Sequence, residues 1–235
     1  MAKNIVITGA SKGIGKAIAL YFAEKGFNLA FCGRNKEDLQ KLESEILAIN
    51  PSCNLLNFVC DVSQKNEVAA FTKAVLEAWS TVDILVNNAG VFIPGQVINE
   101  EEGVLEKLIE TNLYSAYHVS RALVKTMIEH KSGHIFNISS IAGLQAYPNG
   151  GSYSISKFAM TGFSKALREE LKPHHVKVTA ILPGATLTNA WAGVDLPESR
   201  FIKATDIAKI IFDIYSLSEN TVIEDVVIRP MLGDI

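Results

Sequence analysis

The chain has 235 residues, 48% of them hydrophobic, and a formal net charge of −3. This length and composition allow one substantial core, so we predict a single domain spanning residues 1–235. A weak negative charge without any basic block argues against nucleic-acid binding. Because no signal-like amino terminus and no run of about 18 apolar residues is present, we expect a cytoplasmic protein without a membrane segment.

Short β-branched runs alternate with amphipathic segments along the chain. The predicted strands are 4–8, 28–32, 55–60, 84–87, 135–139, 176–182 and 226–228. The predicted helices are 13–25, 36–50, 63–79 with Ser63 as the N-cap, 101–130 with a kink, 152–172 and 205–216. This alternation predicts an α/β fold, a doubly wound parallel sheet of seven strands with helices on both faces. The least regular segment, 184–203, is predicted to form a lid over the substrate.

A glycine-rich turn, TGASKGIG, leaves the first strand and opens the first helix at residues 8–15. Free backbone N–H groups and the positive end of a helix favour a pyrophosphate at such a turn. The same pattern also occurs in an ordinary tight turn, but its place between a strand and a helix favours dinucleotide binding.

The end of the second strand reads Cys32-Gly33-Arg34-Asn35, without a carboxylate to bind a ribose 2′-hydroxyl. Arg34, together with Lys12 in the glycine turn, is available to face a 2′-phosphate through charge-assisted hydrogen bonds. This pattern favours NADP(H) over NAD(H). The alternative is that both side chains are solvated surface charges.

Four polar residues are candidates for the chemistry. Tyr153 and Lys157 are four positions apart, which places both on one face of a helix, although an aromatic ring packed on a lysine stem has the same spacing. An ammonium group near a phenol is expected to lower its pKa from about 10. Ser140 follows a buried strand pattern and Asn112 follows the Asn88-Ala89-Gly90 turn, so all four can meet at the carboxyl ends of the strands.

Several motifs together, in this order and spacing, resemble those of the short-chain dehydrogenase/reductase family: TGASKGIG, NNAG, Asn112, Ser140, YSISK and Pro183-Gly184. The resemblance implies a Rossmann-like fold and an NADP(H)-dependent reduction of a small carbonyl compound. It implies that Tyr153 is the general acid and that Ser140 binds the substrate oxygen, with Ser139 as a competitor for this role. Lys157 would hold the nicotinamide ribose and lower the pKa of the tyrosine, and Asn112 would hold a water in a proton relay.

The resemblance also implies a set of cofactor contacts. Asp61 is matched to the adenine contact, and Thr188 to a contact near the carboxamide and the phosphates. The complete set is Gly9, Ser11, Lys12, Gly13, Ile14, Gly15, Arg34, Asp61, Val62, Asn88, Ala89, Gly90, Tyr153, Lys157, Pro183, Gly184, Thr186 and Thr188.

The substrate is less clearly indicated. Trp191, in the predicted lid, can overhang a substrate and stack on a flat heterocycle, or it can pack over the cofactor. The ending 228–235, the GHIF stretch and Trp191 resemble bacterial sepiapterin reductases, which favours a pterin-like or other small dicarbonyl compound. The alternatives are a 3-oxoacyl-(acyl-carrier-protein) reductase and, in a different class, a dinucleotide-sensing protein without turnover.

Two further expectations concern metals and assembly. The five histidines form no HExxH-type pattern, so we predict no metal site. The helices at 101–130 and 152–172 carry more apolar positions than one sheet face requires, and the family resemblance points to a homodimer or homotetramer.

Overall fold

The computed structural model describes residues 2–191 and 193–235. Within these ranges, seven parallel strands form one sheet in the order β3-β2-β1-β4-β5-β6-β7. The strands are β1 (Asn4–Thr8), β2 (Asn28–Gly33), β3 (Leu55–Val59), β4 (Ile84–Asn87), β5 (Gly133–Ile138), β6 (Val176–Pro183) and β7 (Asp225–Ile228). The strand order reverses between β1 and β4, and a crevice forms at the carboxyl ends of strands at such a point.

The helices lie on both faces of the sheet. They are α1 (Gly13–Glu24), α2 (Lys36–Ile49), α3 (Lys65–Ala78), α4 (Val104–Ile109), α5 (Ser115–Glu129), α6 (Gly151–Leu171) and α7 (Ala204–Tyr215). In β1, Ile5 and Ile7 pack into the core beneath α1, α2 and α7, whereas Val6 packs into the core beneath α3, α5 and α6. Both faces of the sheet are therefore buried, and the predicted α/β architecture is confirmed.

Two predicted helix starts differ from the structure. Ser63 is not the N-cap of α3, because the helix begins at Lys65 and the Ser63 hydroxyl donates to Asp61 Oδ1 at 2.8 Å. The predicted helix 101–130 begins instead at Val104, after Gly103 with φ +86°. A short polar side chain that bonds backward within its own loop is unavailable for capping.

The kink predicted within 101–130 is a π-helical turn, Glu110–Tyr114, which joins α4 to α5. Such a turn widens the helix by one residue and is frequent at functional sites. It contains Asn112, one of the predicted site residues. In the described part of the chain, no helix combines the length and apolarity needed to cross a bilayer.

Candidate active site

Tyr153 and Lys157 lie one turn apart on α6, with Lys157 Nζ 5.8 Å from the centre of the tyrosine ring. The lysine is buried, and its ammonium group donates to the carbonyl of Ile138, at the end of β5, over 3.0 Å. One strand end thus fixes the direction of the lysine side chain. The Phe92 ring packs edge-on against Tyr153 at 4.9 Å between centroids.

The two candidate serines after β5 face different ways. The Ser139 hydroxyl lies against the α6 backbone, donating to the carbonyl of Lys157 at 3.1 Å and lying 3.0 Å from the hydroxyl of Thr161. Ser140 Oγ accepts from the backbone N–H of Ala142 at 3.1 Å and faces the cleft beside Tyr153. Both serines line the cleft, and the hydroxyl of Ser140 lies near that of Tyr153 whereas that of Ser139 is bonded to α6.

Asn112 lies beneath the cleft rather than on its wall, since its side chain is completely buried. Its Oδ1 accepts from the N–H of Val91 at 2.8 Å, and its Nδ2 donates to the Val91 carbonyl and to Ser156 Oγ, both at 3.0 Å. The amide therefore connects the loop after β4 to α6. A methyl group at Gly90 would lie 3.3 Å from Asn112 Oδ1 and 3.6 Å from Lys157 Nζ, so this glycine lets the two side chains approach.

Burial changes the pKa values of both residues on α6. Burial raises the pKa of Tyr153 to about 12, an effect that the nearby Ser140 hydroxyl partly offsets. Burial also lowers the pKa of Lys157 to about 8. The expected lowering of the tyrosine pKa by the lysine is absent in the protein chain itself, where desolvation of the phenolate is the dominant effect. The phenol is therefore protonated at neutral pH.

A cleft of about 1080 Å³ runs from the glycine turn to these residues. This volume lies slightly above the roughly 300–1,000 Å³ usual for ligand pockets. The predicted residues on its wall are Gly9, Ser11, Lys12, Gly13, Ile14, Arg34, Asp61, Val62, Asn88, Ala89, Gly90, Ser140, Tyr153, Lys157, Pro183, Gly184, Thr186, Thr188 and Trp191. Gly15 is the one predicted cofactor residue that does not line it.

The glycines of the turn have distinct roles. Gly9 and Gly13 have φ values of +65° and +56°, and a methyl group at Gly9 would lie 2.8 Å from the Cα of Ala89. Gly15 instead permits packing, because a methyl group there would lie 2.5 Å from both Asn88 Nδ2 and the Gly9 carbonyl. Asn88 Nδ2 donates to that carbonyl at 2.9 Å and so ties the turn to β4.

At the opposite end from Tyr153, Lys12 and Arg34 line the cleft as predicted. A carboxylate is nevertheless present there, because Asp38 in the first turn of α2 places Oδ2 2.7 Å from Lys12 Nζ. The strand-end motif did not reveal this residue, which reaches the same place from the following helix.

The substrate end of the cleft includes residues that sequence reasoning missed. Arg229 and Asp234, in the carboxyl-terminal tail, form an ion pair on the cleft wall. Trp191 lies at the edge of the cleft, with its ring packed against Phe201 at 5.2 Å between centroids. Of the predicted lid, 184–203, the residues that line the cleft are Gly184, Ala185, Thr186, Thr188, Asn189 and Trp191, and position 192 lies outside the described residues.

Glu100 was also missed. Its carboxylate accepts from the backbone N–H of Ser152 at 2.8 Å and from the Ser152 hydroxyl. Ser152 is in the first turn of α6, directly before Tyr153, and Gly95 of the same loop donates to the carbonyl of Asn149 at 3.0 Å. The loop after β4 therefore secures the start of the helix that carries Tyr153. A Glu 52 residues away in the sequence offers no local signal of this contact.

A doubly wound sheet with a glycine turn and a large cleft at the carboxyl ends of its strands is the architecture of dinucleotide-binding enzymes. The family model for short chain dehydrogenases matches residues 3–198. This chain belongs to the short-chain dehydrogenase family, and the family predicted from the motifs is confirmed.

Individual relatives extend over most of the chain. The sepiapterin reductase of Chlorobaculum tepidum is 33% identical over 243 residues, covering 100% of this chain and 99% of the relative. The 3-oxoacyl-(acyl-carrier-protein) reductase of Chlamydia muridarum is 34% identical over 209 residues, covering 88% and 84%. A solved metagenomic short-chain oxidoreductase in complex with NADP is 33% identical, with a TM-score of 0.85 and 98% of both chains covered.

Proposed function

We propose that this protein is an NADP(H)-dependent carbonyl reductase in which Tyr153 donates the proton. One observation carries the proposal: the Tyr153 phenol, the Ser140 hydroxyl and the Lys157 ammonium group share the wall of the cleft that begins at the glycine turn. The solved metagenomic relative bound to NADP supports the choice of cofactor. Oxidoreductase chemistry is also what family membership indicates.

The residues at both ends of the cleft fit such a dinucleotide. A side chain at Gly9 would collide with Ala89, so only glycine leaves this backbone open to a pyrophosphate. Lys12 and Arg34 would hold a 2′-phosphate, and Lys157 would hold the nicotinamide ribose. When bound, the nicotinamide supplies a hydride to the carbonyl carbon.

The protein supplies the proton and stabilises charge. Tyr153 is protonated at neutral pH, as a phenol with a pKa of 10 or above must be, so it carries the proton that the reduction requires. Its pKa of about 12 makes it a weak acid in the chain by itself, and a nearby cation would strengthen it. Ser140 Oγ accepts from the Ala142 N–H at 3.1 Å, and its hydroxyl donates to the Pro183 carbonyl at 3.4 Å. That second bond is long and weak, so a substrate oxygen can replace it and the hydroxyl can then stabilise a developing alkoxide. A positioned group of this kind contributes about two to four powers of ten in rate.

Asn112 has a supporting role in this proposal. Its side-chain amide is engaged by Val91 and Ser156, so we assign to its backbone carbonyl any contact with a relay water. The π-helical turn supports this assignment, since such turns release a backbone group from the regular ladder.

The favoured substrate is a small dicarbonyl or pterin-like compound, and Trp191 at the cleft edge can stack on a planar ring. The similarity to the Chlamydia muridarum enzyme supports a 3-oxoacyl thioester as the second candidate. Turnover of sepiapterin and of an acetoacetyl thioester, each followed by NADPH oxidation, separates them. Faster turnover of sepiapterin is expected. If NADPH binds but is oxidised with neither compound nor with a wider panel of carbonyls, the reductase assignment fails in favour of dinucleotide sensing.

We also propose a homodimer or homotetramer. Large apolar side chains are exposed on α5 and α6, among them Tyr117, Ile155 and Phe158. Apolar surface of this kind, when contiguous, marks an interaction site. Light scattering of the purified protein is expected to give the mass of two or four chains, and an Ile155→Asp variant should dissociate further. A single-chain mass for the unmodified protein would contradict this proposal.

A further inference from the structure

Two cations line the adenosine end of the cleft, and Asp38 adds a carboxylate there besides that of Asp61. Lys12 and Arg34 line the cleft, and Asp38 lies behind Lys12, with 2.7 Å between Nζ and Oδ2. The lysine side chain is 55% exposed and the aspartate 28% exposed, and of the two residues only Lys12 lines the cleft. The lysine is therefore drawn towards the protein by its partner.

The position of Asp38 is well defined by α2. Its backbone N–H donates to Asn35 Oδ1 at 2.8 Å, which caps the helix, and the next residue, Leu39, is completely buried. The positive end of α2 further stabilises a carboxylate in its first turn. Asp38 is thus a fixed negative charge rather than a mobile surface group.

This charge affects two forms of a dinucleotide differently. A 2′-phosphate carries roughly two negative charges and must compete with Asp38 for the Lys12 ammonium group. A plain ribose 2′-hydroxyl carries no charge and loses little. The ion pair consequently reduces the positive charge available where the two forms of the cofactor differ.

We propose that Asp38 is a specificity-determining residue that weakens the preference for NADP(H) over NAD(H) by neutralising Lys12. This inference rests on the proposed function, since it concerns the same cofactor cleft. The natural protein should then bind NADPH more weakly than a protein in which Lys12 is not paired with Asp38. One substitution at Asp38 should therefore strengthen the preference for NADPH over NADH.

The test measures the Kd of NADPH and of NADH for the full chain at low ionic strength. Asp38→Asn keeps the shape of the side chain and removes its charge. NADPH is expected to bind about three- to tenfold more tightly to this variant, as the release of one charge-assisted contact implies, while the Kd of NADH changes by less than about twofold.

Glu37→Gln is the matched control, because Glu37 is an exposed carboxylate in the same helical turn. It removes the same charge without removing the partner of Lys12 and should leave both Kd values within about twofold. Thermal unfolding of both variants verifies that they fold. An equal gain in NADPH affinity from Glu37→Gln would show a general charge effect and overturn the inference.

A Lys12→Met variant tests whether Asp38 acts on NADPH binding through Lys12. There, Asp38→Asn should tighten NADPH binding much less than in the natural chain, because the cation it neutralises is gone. Full persistence of the gain, or no gain in the natural chain, would overturn the inference while leaving the reductase proposal intact. If the natural protein binds neither NADPH nor NADH, the proposed function fails first and the inference fails with it.

Discussion

The catalytic corner (Asn112, Ser140, Tyr153 and Lys157) differs in construction from the substrate rim (the segment 184–203 with the tail 229–235). In the catalytic corner, side chains project from α6, the π-helical turn and the residues directly after β5, and Asn112, Ser140 and Lys157 are buried. In the substrate rim, the Arg229–Asp234 ion pair is on a tail and is about 40% exposed. Rigid elements hold reacting groups more accurately than loops do, whereas loops change more easily to suit a substrate.

This contrast predicts that substitutions in the catalytic corner affect turnover strongly and that those in the substrate rim affect mainly substrate affinity. The largest expected effect is that of Tyr153→Phe, which removes the proposed proton donor and keeps the ring against Phe92. We expect kcat to fall by about two to four powers of ten, with NADPH affinity changed little. Steady-state NADPH oxidation and NADPH titration measure the two quantities. Normal turnover of the variant would eliminate Tyr153 as the acid.

The second prediction concerns the pH dependence of stability. The pKa of Lys157 is about 8 in the folded chain, against 10.5 for an ordinary lysine. Between these values the unfolded chain keeps a proton that the folded chain has released, so a rise in pH favours folding. The buried ammonium group of Lys157 therefore destabilises the folded chain fully below about pH 8, and this destabilisation decreases as the pH rises above 8.

Relative to Lys157→Met, the natural chain should gain about 2 kcal/mol of unfolding free energy between about pH 8 and about pH 9.5. Urea unfolding at each pH measures this difference. Lys165→Met, at an exposed position on the same helix, is the control and should show little pH-dependent change. If the difference in unfolding free energy between the natural chain and Lys157→Met did not change with pH, the Lys157 ammonium group would not be desolvated in the catalytic corner.

A smaller effect is expected where the loop after β4 meets α6. Glu100→Ala removes the acceptor of the Ser152 N–H and should cost about 1 kcal/mol of stability, typical of a lost helix cap. Glu100→Gln keeps an acceptor oxygen and should recover part of the loss. Urea unfolding compares the two variants. If both are as stable as the natural chain, this contact does not secure the start of α6.

The smallest effect is predicted in the substrate rim. Trp191→Ala removes a ring that packs on Phe201 at the cleft edge, and we expect KM for the carbonyl to rise a few-fold while kcat stays within about twofold. The Kd of NADPH serves as the control and should not change. A fall in kcat comparable with that of Tyr153→Phe would remove the distinction between the two regions.

Local patterns in the sequence account for what was predicted well. The strands and the glycine turn are determined by short runs of residues. For this reason β1 and the start of α1 agree with the predicted bounds. Spacing on one helix likewise placed Tyr153 and Lys157 on the same side.

Contacts between distant segments account for the rest. The pairing of Lys12 with Asp38 depends on how α2 is set against the glycine turn, which no local motif records. The predicted pKa of Tyr153 had the wrong direction because desolvation depends on the whole packed environment. The close packing of Gly15 against Asn88 is also a contact between distant segments, which the glycine turn by itself does not indicate.

The most direct measurement is a crystal structure of the protein with NADP and a ketone-bearing substrate analogue. We expect the hydroxyls of Tyr153 and Ser140 both to lie within hydrogen-bond distance of the ketone oxygen, and the dinucleotide to extend from the glycine turn to Lys157. A tyrosine hydroxyl directed away from the analogue, or a dinucleotide bound outside the cleft, would contradict this expectation.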